Sequence, residues 1–512
     1  MRRFYLPAVL ALSCSLATLA EEAKKDPPKP EAKPAEKKEE PKKDDKKEES
    51  SVTHGSVTIG GQEVKYKATA AMLPILKADG QPSAQVFHIA YTKEGADAKN
   101  RPVTFCFNGG PGSSSVWLHL GAFGPKRVDL PADGLTPPKP PGGLVPNEYS
   151  LLSDTDLVFI DPVNTGFSTA TDPGKVSEFL GVKEDITAVA EFIRLWITRE
   201  KRWSSPKFIA GESYGGIRGG GLAEHLASRH RIYINGLIIV SGLLDYDTLV
   251  GTTINDLPNQ VLLPALTAMA HYHKKLPPDL QNGPRDKAVA EAREFVYRDY
   301  SHALHMAREL PKAQRAVVVK KLARLTGLPE KLIDDNQMLI SAGLFREHLL
   351  RDRGLVLGTY DARVTGRDAD VSENYPEIDP FMNVVGGIAA AGMNAYLREE
   401  LKFERDVPYE ALKPQPQWNH GEGNHYTSVN AELAKAMKGN PHLHVLAMMG
   451  WADLVTPPDN MLHSLRHLAI PDELRGNIHT AEYDAGHMMY TNLPDLKKLH
   501  ADIAAFIAAA LK

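Results

Sequence analysis

The sequence predicts an α/β protein with a mostly parallel central sheet interrupted by a helical insertion. Short apolar runs recur along the chain: "RPVTFCF", "TDLVFID", "PKFIAG" and "NGLIIVSGLLD". Each is the length of a buried strand and is bounded by turn residues. Between such runs lie segments with helical spacing, for example "VKEDITAVAEFIRLWITRE". Strand–helix alternation of this kind builds parallel sheets. After Asp245 the texture changes to Ala, Leu, Arg and Lys at helical spacing, as in "DKAVAEAREFVYRDYSHALHMAREL". The alternation resumes with "HLHVLAMMG" and "NIHTAEYDAG". A helical insertion, or cap, is therefore expected over about 245–415.

The first 20 residues read as an export signal. Arg2 and Arg3 precede the apolar run "LPAVLALSCSLATLA", with small residues at Thr18 and Ala20 before an expected cut at Glu21. That run is too short for a membrane span, so no stable membrane insertion is expected after cleavage. Cys14 has no Leu three residues before it, which argues against a lipoprotein site. Residues 21–52 are almost entirely Glu, Lys, Asp, Pro, Ala and Ser. Lacking large apolar side chains, they cannot offset the entropy of ordering, and a disordered linker is expected. The folded domain should occupy 53–512. It opens with "SVTHGSVTIGGQEVKYKATAAMLPIL", whose alternation around Gly60-Gly61 predicts a hairpin, and continues with a further strand in "AQVFHIAYT".

Composition narrows the function classes. The chain has 512 residues, 42% hydrophobic, and a net charge of -4. That balance gives no electrostatic reason to expect nucleic acid or an anionic membrane as a partner. Of two cysteines, Cys14 and Cys106, only Cys106 survives removal of the leader. An exported protein without an intrachain disulfide must draw its stability from its core.

The chemistry begins at "FIAGESYGGIRGGGLAEHL", where Gly211-Glu212-Ser213-Tyr214-Gly215 follows an apolar strand and precedes a helix pattern. This is the setting of the nucleophile elbow of α/β-hydrolases, in which a sharp turn lifts the Ser hydroxyl above the sheet. Glycines two residues either side avoid a clash at that turn. Ser213 is the candidate nucleophile. It needs a base, and the base an orienting acid, in the chain order Ser, acid, His. "HVLAMMGWADLVTPPDN" offers Asp453 after a late strand, and "IHTAEYDAGHMMY" offers His487 after the next. Asp459 and Asp484 are alternatives for the acid, and His479, inside a strand pattern, for the base. The Gly-rich "NGGPG" after "VTFCF" suits the second half of an oxyanion hole, the first being the backbone N–H of Tyr214. A metal centre could draw on His271, His273, His420 and His425. Without an H-E-x-x-H helix or a Cys pair, no metal and no cofactor is expected.

In order, "NGGPGSSS", "DPVNTGFS", "GESYGG", "GWADLVTP" and "DAGHM" resemble the successive signatures of the serine carboxypeptidases, peptidase family S10. The similarity runs from about Val103 to Lys512 and is weakest across the insertion. It looks like a bacterial-type member, with a leader and no structural cysteines. The resemblance implies an α/β-hydrolase fold and removal of C-terminal residues from peptides. It implies Ser213 as nucleophile, His487 as base and Asp453 as acid, with Gly110 and Tyr214 as oxyanion donors. It further implies that Asn108, the Gly109 N–H and Glu212 hold the free carboxylate of the substrate. A carboxylate beside Glu212 requires a shared proton, which is the family's reason for preferring acid conditions.

The chain departs from the family pattern in places. Cys106 stands where the family has Trp, and Ser113 where it has a disulfide Cys. "GAFGP" puts Ala122 where an acidic partner of Glu212 is usual. Glu212 is therefore expected to lack that neighbour, and the acid preference to be weaker. Two other readings compete with a periplasmic or secreted carboxypeptidase: an esterase or acyltransferase using the same residues, and a non-catalytic exported binding protein.

Overall fold

The computed structural model describes residues 49–512 apart from 78, 253, 368–378 and 422–426. The expected leader with Cys14, the linker up to residue 48, and His425 lie outside the described residues.

Nine strands build the main sheet. They are β1 (Ser50–Ile59), β2 (Gln62–Leu76), β3 (Pro82–Lys93), β4 (Val103–Phe107), β5 (Asp156–Ile160), β6 (Lys207–Glu212), β7 (Gly236–Val240), β8 (His444–Gly450) and β9 (Ile478–Tyr483). Their order is β1-β2-β3-β5-β4-β6-β7-β8-β9, with the short pair Thr169–Ala170 added to β3. From β5 to β9 every neighbour is parallel, while β1, β2, β3 and β5 pair antiparallel. The expected hairpin is β1–β2, turning at Gly60 and Gly61 with φ of 56° and 80°. Those left-handed angles match the twist of a two-residue hairpin turn. One boundary differs from expectation. β1 starts at Ser50, and Ser50, Ser51 and Val52 pair with Ala71, Ala70 and Thr69. Polar composition hid these residues, because a strand edge is held by backbone hydrogen bonds rather than side-chain burial.

Every residue of β4, β5, β6 and β7 is buried. Helices cover both faces, which is why these strands read as continuous apolar runs. On one face, α1 (Val182–Arg199) packs Ile186, Val189, Ile193 and Ile197 against Phe105, Ile209 and Ile239. On the other, a C-terminal helix (Leu493–Ala510) packs Leu499, Ile503 and Phe506 against Phe208 and Leu446. The helix α2 (Gly215–His225) leaves directly from the end of β6. Parallel strands of this order, with helices on both faces, form an α/β-hydrolase fold.

Between β7 and β8 the chain is mostly helical and builds a third core. Helices α3 (Leu257–Tyr272), α4 (Arg285–Phe295) and α5 (Lys312–Thr326) bury Leu266, Ala292 and Leu322 together. Trp451, Ala452 and Leu454, from the loop after β8, belong to the same core. The helical segment is thereby packed onto the loop that carries Asp453.

Candidate active site

Ser213 sits at the turn from β6 into α2 with φ of 61°, a left-handed backbone that costs a non-glycine residue about 1–2 kcal/mol. Two hydrogen bonds hold the turn: Ser213 N–H donates to the Val240 carbonyl at 3.1 Å, and Gly216 N–H to the Ser213 carbonyl at 2.9 Å. The turn is tight enough that a Cβ on Gly211 would lie 2.2 Å from the Gly215 carbonyl oxygen. Glu212 and Tyr214 are buried, whereas Ser213 between them is partly exposed. Strain here presents one hydroxyl at the surface of the sheet's carboxyl edge.

Asp453 and His487 follow β8 and β9, and meet there. His487 Nδ1 is 2.7 Å from Asp453 Oδ2. The other oxygen, Oδ1, accepts the N–H groups of Val455 at 2.8 Å and Thr456 at 2.9 Å. The Thr456 hydroxyl lies 2.7 Å from both Asp453 Oδ2 and the Ser241 carbonyl, tying the acid loop to the end of β7. Burial pushes the His487 imidazole down, but the Asp453 carboxylate, aided by Glu212, overcomes this and leaves its pKa above the ordinary value. All three residues stand at carboxyl ends of strands, where open α/β sheets bind ligands. The alternatives lie in other settings. Asp459 is held by Arg293 through two bonds of 2.8 and 2.9 Å, Asp484 is an exposed partner of Arg285, and His479 stacks on His444.

The "NGGPG" loop lies against the elbow. A Cβ on Gly109 would come within 2.5 Å of Tyr214 N and 2.7 Å of the Glu212 carbonyl, so only glycine allows this approach. Among the described residues, the backbone N–H groups of Gly110 and Tyr214 have no acceptor. The three serines that follow are structural. Ser113 Oγ accepts from Trp117 Nε1 at 2.8 Å, Ser114 Oγ is 3.3 Å from the Ala411 carbonyl, and Ser115 donates to Asp161 Oδ1 through both N–H and hydroxyl at 2.8 Å. Beneath the loop, Arg218 Nη1 donates to the Asn108 carbonyl at 2.6 Å and Nε to Asp185 at 2.8 Å. Asp185 also accepts the Tyr214 hydroxyl at 3.0 Å, so one buried ion pair braces both the loop and the elbow.

Asn108 and Glu212 are buried side by side. Asn108 Oδ1 accepts the Leu118 N–H at 3.0 Å, while Nδ2 is buried with no hydrogen-bond partner of good geometry. That amide is still near enough to Glu212 to favour its charged form. Burial pushes the Glu212 carboxyl up to about 7; His487, Tyr490 and Asn108 hold it down and Asp453 adds to the rise.

Ala122, where an acidic partner of Glu212 was looked for, is a buried residue whose carbonyl accepts from Asn147. Glu212 is nevertheless partnered. The Tyr490 hydroxyl, three residues beyond His487, donates to its Oε2 at 2.8 Å. Tyr490 was missed because it is remote in sequence from both Glu212 and "GAFGP". The only local signal was Gly121, where a Cβ would lie 2.3 Å from the Tyr490 ring. Tyr490 and Met488 also wall a largely apolar cavity of about 100 Å³, with Trp117, Leu120 and Leu496.

The other histidines do not converge. His271 bonds the Gly283 carbonyl, His273 the Ala362 carbonyl, and His420 packs edge-on to Tyr246. Among the described residues no group of three metal-ligating side chains occurs, and no helix is long and apolar enough to cross a membrane.

Residues 72–307 match the family model described as serine carboxypeptidase. This span holds Asn108, Gly110, Glu212, Ser213 and Tyr214 and ends before Asp453 and His487. Carboxypeptidase Y homolog A of Arthroderma otae is 33% identical over 29% of this chain and 26% of its own length. The lysosomal protective protein of Mus musculus is 31% identical over 31% of this chain and 32% of its own length. The chain thus aligns with about a quarter to a third of these relatives. Among solved structures, proline iminopeptidase of Mycobacterium smegmatis aligns over 86% of this chain and 98% of that one, at 13% identity and a TM-score of 0.38. The fold assignment rests on the strand order rather than on that likeness. Over residues 72–307, a little under half of its length, the chain is similar to the serine carboxypeptidase family.

Proposed function

We propose that this protein is an exported serine carboxypeptidase, periplasmic or secreted, that removes C-terminal residues from peptides through an acyl-enzyme. Ser213 attacks the carbonyl of the last peptide bond and passes its proton to His487 Nε2. Asp453 holds the imidazole by its Nδ1 and stabilises the cation that forms. The N–H groups of Gly110 and Tyr214 receive the oxyanion, each contributing about 3 kcal/mol to lowering the barrier. His487 then protonates the leaving amine, and water repeats the sequence on the acyl-enzyme.

The observation that carries the peptidase reading is the buried pair Asn108 and Glu212 beside the nucleophile. An unpaired amide donor and a carboxyl held near 7 suit a ligand carboxylate that shares a proton. A general esterase has no need of either group. An export leader in residues 1–20 and a linker in the polar stretch after it are read from composition. The same reading takes the segment between β7 and β8 as the cap.

A fluorophosphonate probe tests the proposal. It should label Ser213, located by mass spectrometry, and a peptide with a free C-terminus should slow labelling far more than its amide. Labelling at another residue, or no labelling, would remove the nucleophile. Equal protection by acid and amide would leave a hydrolase without carboxylate recognition, the esterase or acyltransferase alternative.

A further inference from the structure

We infer that Tyr490 is the positioning residue that sets the protonation of Glu212, a phenol donor to one of its two oxygens. The inference rests on the reading of Glu212 as a carboxylate-binding group. The geometry is specific. The Tyr490 hydroxyl is 2.8 Å from Glu212 Oε2, and both residues are buried. Its ring fills the space that Gly121 leaves open, next to Ala122.

The chemical consequence differs from that of a carboxyl pair. Two carboxyls share one proton, and either can carry it. A buried phenol beside a carboxylate keeps its own proton, since burial and Glu212 push Tyr490 well above its ordinary value. It can only donate, so it stabilises the ionised form of Glu212 and fixes which oxygen is occupied. Oε1 is left to face the ligand and must carry a proton when a carboxylate arrives. His487, Asp453, Asn108 and Tyr360 are the other polar or titratable groups acting on Glu212 or facing it. Among the described residues, the Tyr490 hydroxyl is the side-chain donor with a hydrogen bond of good geometry to Oε2.

The test is the pH dependence of KM for a peptide with a free C-terminus, with an uncharged ester as comparison. Tyr490→Phe keeps the ring, and with it the cavity wall, but removes the donor. The basic limb of the peptide profile should move up by about one pH unit, a tenfold change in KM on that side. The ester profile keeps its midpoint whatever its amplitude. 3-Fluorotyrosine at position 490, a stronger donor of similar shape, should move the limb the other way; this covers the case in which Tyr490→Phe fails to fold. In the Glu212→Gln background the limb should be absent and indifferent to residue 490. A KM raised equally at all pH values, with no movement of the limb, would reduce Tyr490 to a structural role and overturn the inference. A Glu212→Gln profile identical to that of the parent would instead overturn the carboxylate-binding role of Glu212, and the inference with it.

Discussion

Asn108 divides its side chain between two tasks. Its carbonyl caps the Leu118 N–H, and its amide is left unpaired beside Glu212. A buried donor without a partner costs about 1–3 kcal/mol unless a ligand completes it. Asn108→Ala should therefore lower kcat/KM for peptides with a free C-terminus by roughly 10- to 150-fold, the loss of a hydrogen bond to a charged group. The loss on simple esters should be much smaller. Parallel kinetics on both substrates check this, and equal losses would mean that only the Leu118 contact matters. Ser213 was legible because its strain is written in the glycines around it. The bonds of the serines at 113–115 to Trp117, Ala411 and Asp161 depend on contacts no local pattern encodes.

Strand ends set the order of the candidate site, and a segment between β7 and β8 braces it. The segment from Thr359 to Arg363 reaches back to both late loops. Ala362 N–H donates to the Ala452 carbonyl at 2.9 Å, Leu454 N–H to Thr359 at 3.0 Å, and His487 N–H to Tyr360 at 2.6 Å. Asp361 Oδ2 accepts the Gly486 N–H at 3.1 Å and pairs with Arg363 at 2.6 Å, all but enclosed. Asp361→Ala would leave a nearly buried guanidinium without its partner and free the Gly486 backbone. The expected cost is about 3–5 kcal/mol in stability, together with a fall in kcat that exceeds any change in KM. Denaturant unfolding and steady-state kinetics measure the two effects; an unchanged kcat would mean that the segment does not position His487. Helical spacing marks much of the segment between β7 and β8, but nothing local marks this clamp. Its bonds join residues far apart in the chain, and the stretch around Tyr360 carries no periodicity.

Across the whole molecule, burial of titratable groups makes stability depend on pH. Asp161 is enclosed and pushed up by burial to about 6, against the two bonds from Ser115. The unfolded chain releases this proton near 3.8, the folded one near 6. Between those values the folded state holds more protons, so this group's contribution to stability falls as pH rises. The span from 3.8 to about 6 amounts to roughly 3 kcal/mol at full ionisation. His88 and His119 act with the opposite sign. Burial lowers them to about 4 and 3, so stability is lost as pH drops below 6.5. Asp161→Asn removes only the first of these terms. Relative to the parent, its Tm should gain steadily from pH 4 to 6 and then level off; a difference independent of pH would show that Asp161 is not neutral in the folded protein at low pH. The global architecture was largely legible, because buried parallel strands must be apolar throughout. The polar residues opening β1 and the Tyr490 partnership were not, because backbone pairing and long-range contacts leave no mark on composition.

In the proposed reaction Ser213 acts on a peptide whose free carboxylate is held by Asn108 and Glu212. Mass spectrometry of one peptide, as the acid and as the amide, followed over time with the parent enzyme and with Ser213→Ala, tests it most directly. The acid should shorten one residue at a time from its C-terminus, the amide should react far more slowly, and Ser213→Ala should do neither. Internal cleavage, or equal rates on acid and amide, would contradict the claim.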